Sequence, residues 1–101
     1  MAIMEISVVP LGMGGVGVGE YVADLIRYLQ NNSIPYKLTD MGTILEGEVD
    51  QLLSVARNLH ELPFHRQVKR VVTHIAIDDR RDREVHLEDK IKAVTQRLTQ
   101  S

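Results

Sequence analysis

Residues 36–48, YKLTDMGTILEGE, hold the hairpin that decides the fold. Two short runs of strand-forming residues, YKLTD at 36–40 and TILEGE at 43–48, enclose the dipeptide Met41–Gly42. A glycine-containing pair between two such runs is typical of a tight turn, in which Gly42 can supply a positive φ. The pattern therefore predicts that the second strand of the chain turns straight back into the third.

Strands and helices alternate on both sides of this hairpin. Before it, residues 2–10 read as a strand, and apolar residues from Tyr21 onward follow the helical spacing. After it come a second amphipathic helix, which is marked by apolar residues from Val49 to Leu59 and ends near Pro63, and a long strand over residues 68–78. A last helix is marked by Leu87, Ile91, Val94 and Leu98. The order βαββαβ plus a C-terminal helix predicts an α+β, ferredoxin-like fold, an antiparallel sheet with helices on one face and a bare second face.

A glycine-rich loop follows the first strand and contains G-x-G-x-x-G at Gly12, Gly14 and Gly17, with Asp40 further along the chain. This spacing is the fingerprint of a dinucleotide-binding turn. The hairpin disfavours that function, because a dinucleotide fold continues with parallel strands and binds its ligand in the crevice between them. We therefore expect no tight binding of NAD or FAD. The loop is then either a flexible connection with Gly19 near the helix N-cap, or a loop that closes over a ligand.

The composition predicts one globular domain over residues 1–101. Apolar residues make up 44% of the chain and charged residues 26%, and the net charge of −2 disfavours binding to nucleic acid through phosphate neutralisation. There is no cysteine, and the four histidines lack the spacing of a metal site, so we expect no metal and no cofactor. No Ser, His and Asp arrangement points to catalysis. No apolar stretch approaches a membrane span, so we expect a cytoplasmic protein with no membrane partner.

The bare face of the predicted sheet mixes apolar and polar groups. The strand pattern assigns eight residues to this face, namely Glu5, Ser7, Val9, Lys37, Thr39, Val72, His74 and Ala76. On the third strand either Ile44 and Glu46 or Thr43 and Leu45 point that way, because alternation alone does not fix the register. The apolar part of this face needs a cover, and a second copy of the chain is the simplest one. We therefore expect a homodimer or a homotetramer.

Three motifs carry a resemblance to a known family. They are S-x-x-P-x-G over residues 7–12, M-G-T-x-x-E-G-E over 41–48 and I-D-D-R-R-D over 77–82. From Ile3 to about Leu98, the chain resembles the small thiamine-binding proteins of the UPF0045, or DUF77, group. The resemblance implies a ferredoxin-like subunit, dimers that join their sheets, and tetramers built from two dimers. It also implies non-catalytic binding of thiamine or its hydroxymethylpyrimidine moiety, in vitamin salvage or transport.

The family motifs place candidate ligand-binding residues at Ser7, Thr39, Met41, Gly42, Thr43 and Glu46. A carboxylate accepts a hydrogen bond from the amine of an aminopyrimidine and attracts a cationic thiazolium, so Glu46 is the leading candidate. The short hydroxyl groups suit the orientation of a small heterocycle. The alternative function is an oligomeric regulatory or interaction module without a small-molecule ligand, in which the bare face is only a subunit interface.

Overall fold

The computed structural model describes residues 1–12 and 17–100. Its elements in chain order are β1 (Ala2–Leu11), α1 (Val18–Asn31), β2 (Tyr36–Leu38), β3 (Thr43–Gly47), α2 (Val49–Glu61), a short 3₁₀ helix (Leu62–Arg66), β4 (Arg70–Asp79) and α3 (Asp89–Thr99). This order confirms the predicted ferredoxin-like α+β fold. Of the G-x-G-x-x-G motif, Gly12 has a φ of 70° and Gly17 is the N-cap of α1, while Gly14 lies outside the described residues.

The four strands form one sheet in the order β2-β3-β1-β4. Each pair recorded between these strands is antiparallel, so the described sheet lacks the parallel strands that frame a dinucleotide crevice. The pairing also settles the register of β3. Ile3 pairs with Glu46 and Glu5 with Ile44, and directly opposed residues share a face. Ile44 and Glu46 therefore lie on the bare face.

The core lies between the other face of the sheet and the first two helices. On β1 the alternate residues Ala2, Met4 and Ile6 are fully buried. The helices present matching apolar stripes, which comprise Tyr21, Leu25 and Leu29 on α1 and Leu52, Val55, Ala56 and Leu59 on α2. Each large side chain buried in this way stabilises the fold by about 1.5–3 kcal/mol, so the alternation along β1 fixes which face the helices cover.

Two details of the hairpin differ from the sequence-based prediction. β2 ends at Leu38, so Thr39 lies in the turn and not on the bare face. Gly42 does not have the positive φ that the turn pattern suggests. Glycine is favoured at this position for a different reason. A Cβ on Gly42 would lie 3.0 Å from the carbonyl oxygen of Ile6, a tighter contact than most real Cβ atoms make, so a side chain here would require the turn and β1 to move apart.

A crossing segment, residues 80–88, joins β4 to α3 and is held on the bare face by two contacts. His86 Nδ1 lies 2.8 Å from Glu46 Oε2. Lys37 Nζ lies 2.6 Å from Glu88 Oε1. Lys37 pairs with Ile44 in the sheet, so both contacts belong to the same face. Part of the face that the sequence predicts to be bare is thus covered by the chain itself.

The C-terminal third of the chain leaves apolar surface uncovered. β4 lies at the edge of the sheet, and its Ile75 and Ile77 are 45% and 38% exposed although they pair with the buried Ile6 and Met4. No residue of α3 is buried. The Cα radius of gyration is 15.5 Å, whereas a compact chain of this length has about 13 Å. The extra extent agrees with a helix that contributes little to the core of its own chain.

Candidate functional site

A cavity of about 540 Å³ lies between the sheet and the start of α1. Its wall is built from the second half of β1, the first two turns of α1, the β2–β3 turn and the junction of α2 with the 3₁₀ helix. Ligand-binding pockets in proteins span roughly 300–1,000 Å³. The cavity therefore has the size for a small heterocyclic ligand.

Apolar side chains form most of the cavity wall. Tyr21 and Leu25 come from α1, and Leu59 and Pro63 come from the opposite side. All four side chains are buried. The buried stripe of α1 therefore faces the cavity as well as the sheet. Exposed residues mark the mouth, among them Met41, which is 83% exposed. The arrangement offers a dry interior for a ring system and a wet opening for a polar or charged group.

The turn at the mouth is held by the side chain of Thr39. Its hydroxyl donates to the carbonyl oxygen of Gly42 at 2.7 Å. It also accepts hydrogen bonds from the backbone N–H of Met41 at 3.3 Å and of Gly42 at 3.2 Å. The backbone N–H of Thr39 donates to the same Gly42 carbonyl at 2.9 Å. Thr39 thus fixes the loop that forms one side of the opening.

A small number of polar side chains interrupt the apolar wall. Thr43 brings a hydroxyl group from the core-facing side of β3 and is only 3% exposed. Ser7 borders the cavity from β1, but it alternates with the buried Ile6, so its side chain belongs to the bare face. Asp40 contributes a carboxylate from the exposed tip of the turn. Of the described residues that line the cavity, Asp40 alone carries a formal charge at neutral pH. The described lining therefore contributes one negative charge to the opening.

An ion pair ties the two helical walls of the cavity together. Arg66 of the 3₁₀ helix donates from Nε to Asp24 Oδ2 and from Nη2 to Asp24 Oδ1, the latter at 3.1 Å. The hydrogen bond from Arg66 holds the pKa of Asp24 below its ordinary value of 3.8. The guanidinium also lies 6.0 Å from the ring centroid of Tyr21, a cavity residue. The pair thus fixes the distance between α1 and the 3₁₀ helix.

The cavity brings together five of the six ligand-binding residues predicted from the family motifs. These are Ser7, Thr39, Met41, Gly42 and Thr43. Glu46 lies outside it, on the bare face, where its side chain is 17% exposed and contacts His86. The hydrogen bond with Glu46 is the main reason why the pKa of His86 lies above its ordinary 6.5. The sixth predicted residue therefore contacts the crossing segment.

Sequence reasoning missed the helical wall and the charge at the mouth. Tyr21, Leu25, Leu59 and Pro63 look like ordinary core residues in the sequence, and only the docking of α1 beside the 3₁₀ helix makes them a cavity wall. In the sequence, Asp40 stands out only as the acid of a dinucleotide motif. Its position between Thr39 and Met41, two residues of the family motif region, was the available signal.

The described residues contain no group of three or more His, Cys, Asp and Glu side chains that could hold a metal ion. Among the described helices, none is long and apolar enough to cross a membrane.

Comparison with known proteins identifies the family. The sequence profile described as thiamine-binding protein matches residues 4–95. A UPF0045 protein of Bacillus subtilis is 41% identical over 102 aligned residues, which cover 97% of this chain and 98% of the relative. The crystal structure of a hypothetical protein of Methanocaldococcus jannaschii has a TM-score of 0.81 and 34% identity, and the match covers 94% of this chain and 96% of that one.

A more distant structure shares the fold. It is a Thermotoga maritima protein provisionally assigned to thiamine biosynthesis or salvage, with a TM-score of 0.75 and 20% identity over 92% of this chain and 97% of that one. The profile match and the identity to the UPF0045 relative confirm the resemblance inferred from the three motifs. The chain therefore belongs to the thiamine-binding protein family, in which UPF0045 proteins are its relatives.

Proposed function

We propose that this protein binds thiamine, or its hydroxymethylpyrimidine moiety, in the cavity between β1, α1 and the β2–β3 turn, and that it catalyses no reaction on the ligand. One observation carries the proposal. An apolar cavity of about 540 Å³ contains five residues that the family motifs single out, in a chain whose family is described as thiamine-binding.

The chemistry of the wall suits the pyrimidine end of thiamine. A flat heteroaromatic ring gains free energy when it leaves water for an apolar cavity, provided that its polar atoms find partners. Thr43, buried on the cavity side of β3, offers a hydroxyl group that can donate to a ring nitrogen or accept from the exocyclic amine. The ring then lies in the interior, and the rest of the ligand extends towards the mouth.

Calorimetric titration with thiamine tests the proposal, and the glycines beside the cavity provide a matched pair of variants. Gly19 lines the cavity and Gly17 does not, and a Cβ at either position meets no atom within 4 Å. We expect the wild type to bind thiamine, Gly19→Leu to lose binding because the added side chain occupies the opening, and Gly17→Leu to retain it. Absence of heat and of thermal stabilisation by thiamine in the folded wild type would refute the proposal.

Glu46 stays a prediction from the family motif. Loss of a hydrogen bond to a charged partner costs on the order of 1.5–3 kcal/mol, or roughly ten- to a hundredfold in affinity. Because Glu46 lies on the bare face, a loss of this size in Glu46→Gln would argue for a binding site on that face instead of the cavity. Thiamine affinity equal to that of the wild type would remove Glu46 from the site.

The proposal includes a homo-oligomer, either a dimer or a tetramer. It is supported by the exposed Ile75 and Ile77 on the edge strand and by the exposed Ile91 and Val94 on α3, since exposed apolar surface of this kind is typical of subunit interfaces. Light scattering at micromolar concentration tests it, and a monomer would contradict it. The cytoplasmic location stays a prediction from the sequence, which cell fractionation tests.

The same exposed residues favour a second candidate function, an oligomeric interaction module without a small-molecule ligand. This function predicts that the protein assembles, that thiamine gives no heat on titration, and that Gly19→Leu leaves assembly unchanged. The two functions therefore differ in one titration.

A further inference from the structure

The charge at the mouth of the cavity has no partner in the described chain. Asp40 lines the cavity, yet none of the recorded ion pairs or side-chain hydrogen bonds among the described residues uses its carboxylate. By contrast, Asp24 is held by Arg66 and Asp82 by Arg80. An unpaired carboxylate at the rim of an apolar cavity favours a ligand that carries a positive charge next to an apolar or aromatic body.

We propose that Asp40 is a specificity-determining residue, which selects ligands with a cationic group at the mouth over ligands that offer only the neutral heterocycle. The inference rests on the proposed function and assigns the two ends of thiamine to two parts of the site. The neutral pyrimidine lies in the apolar interior. The thiazolium, which has a permanent positive charge, lies beside the Asp40 carboxylate.

The backbone around Asp40 makes this position a defined one. Its neighbour Thr39 anchors the turn through three side-chain hydrogen bonds, and Gly42 brings the turn against the carbonyl oxygen of Ile6. The carboxylate therefore stands on a fixed loop at the rim, although its side chain is exposed. Partial exposure keeps the attraction modest and makes it sensitive to salt, because exposed charges are screened over about 10 Å at 0.1 M ionic strength.

The test compares two ligands on three proteins by calorimetry at low salt. The ligands are thiamine, which is cationic, and hydroxymethylpyrimidine, which lacks the thiazolium. The proteins are the wild type, Asp40→Asn, and the control Glu61→Gln, which removes one negative charge from an exposed residue that does not line the cavity. Thermal unfolding of each variant verifies that the fold is kept.

We expect Asp40→Asn to bind thiamine about three- to tenfold more weakly than the wild type and to bind hydroxymethylpyrimidine equally well. The loss for thiamine shrinks when the salt concentration is raised, and Glu61→Gln behaves as the wild type. An unchanged preference for thiamine over hydroxymethylpyrimidine in Asp40→Asn would overturn this inference and leave the proposed function standing. If the folded wild type binds neither ligand, the proposed function fails and the role of Asp40 fails with it.

Discussion

Replacement of Thr39 by valine tests whether the β2–β3 turn is held by one hydroxyl group. Valine keeps the shape of the side chain and removes the oxygen that makes three hydrogen bonds, one donated at 2.7 Å and two accepted at 3.2 and 3.3 Å. A hydrogen bond within a protein contributes about 0.5–1.5 kcal/mol net, and the longer two contribute least. We expect Thr39→Val to lower the free energy of unfolding by about 1–2 kcal/mol.

The assay is thermal and urea unfolding followed by circular dichroism, at one fixed protein concentration so that the proposed assembly contributes equally to every variant. For a chain of about this size, 1 kcal/mol shifts Tm by roughly 4–8 °C, so the expected shift is well resolved. Thr39→Ser is the matched control, since it keeps the hydroxyl and loses only a methyl group. We expect its stability to lie close to that of the wild type.

The same two variants test whether the Thr39 hydroxyl is needed for ligand binding as well as for the turn. If Thr39 acts through the turn, thiamine binding weakens in Thr39→Val and is kept in Thr39→Ser. Stability of Thr39→Val within about 0.5 kcal/mol of the wild type, the range of neutral surface substitutions, would refute the reasoning that the hydroxyl holds the turn.

The remaining predictions concern one glycine and two titrating contacts. Gly42→Ala places a Cβ 3.0 Å from a backbone carbonyl oxygen of β1, so we expect unfolding free energy to fall by about 1–3 kcal/mol in urea titrations. The pKa of Asp24 is lowered below 3.8, chiefly by the hydrogen bond from Arg66. A carboxyl group whose pKa is lower in the folded state stabilises the fold at pH values above its unfolded pKa, and this contribution disappears as the pH falls through the folded pKa. We therefore expect the free energy of unfolding of Asp24→Asn, measured from pH 7 downward, to depend less on acid than that of the wild type. The pKa of His86 is raised above 6.5, chiefly by the hydrogen bond with Glu46, so their contact stabilises the fold fully below that value and is lost as the pH rises through the folded pKa. Amide hydrogen exchange of the crossing segment, corrected for intrinsic rates, therefore increases at alkaline pH, and a pH-independent protection would contradict this.

The fold could be predicted from the hairpin because its signals are local. YKLTD and TILEGE are short runs of strand-forming residues, Met41–Gly42 provides the turn, and the helices on each side show their apolar spacing within a few turns. The residues of β3 that lie on the bare face could not be predicted, because the pattern fits Thr43 and Leu45 as well as it fits Ile44 and Glu46. Only the pairing of Glu5 with Ile44 decides between them.

Most of the predicted cavity residues lie in the hairpin turn, and Ser7 is the one that comes from another motif. Thr39 to Thr43 are consecutive residues, and a turn places them together whatever the rest of the chain does. The contact between Glu46 and His86 joins residues 40 positions apart through an irregular segment, and no local pattern indicates it. The role of Gly42 is likewise invisible in the sequence, because it depends on how closely the turn approaches β1.

The edge position of β4 creates a risk of aggregation for the newly synthesised chain. Ten consecutive residues offer one row of backbone groups without a strand beside it in the described sheet, and Ile75 and Ile77 stand exposed along the strand. Such an edge is a template for unwanted cross-β aggregation until a proper partner occupies it. The chain places a dense run of charges, DDRRDRE at 78–84, immediately after the apolar part of that strand. These charges act as gatekeepers against stacking of one edge on another, because identical charged segments repel when chains align in register.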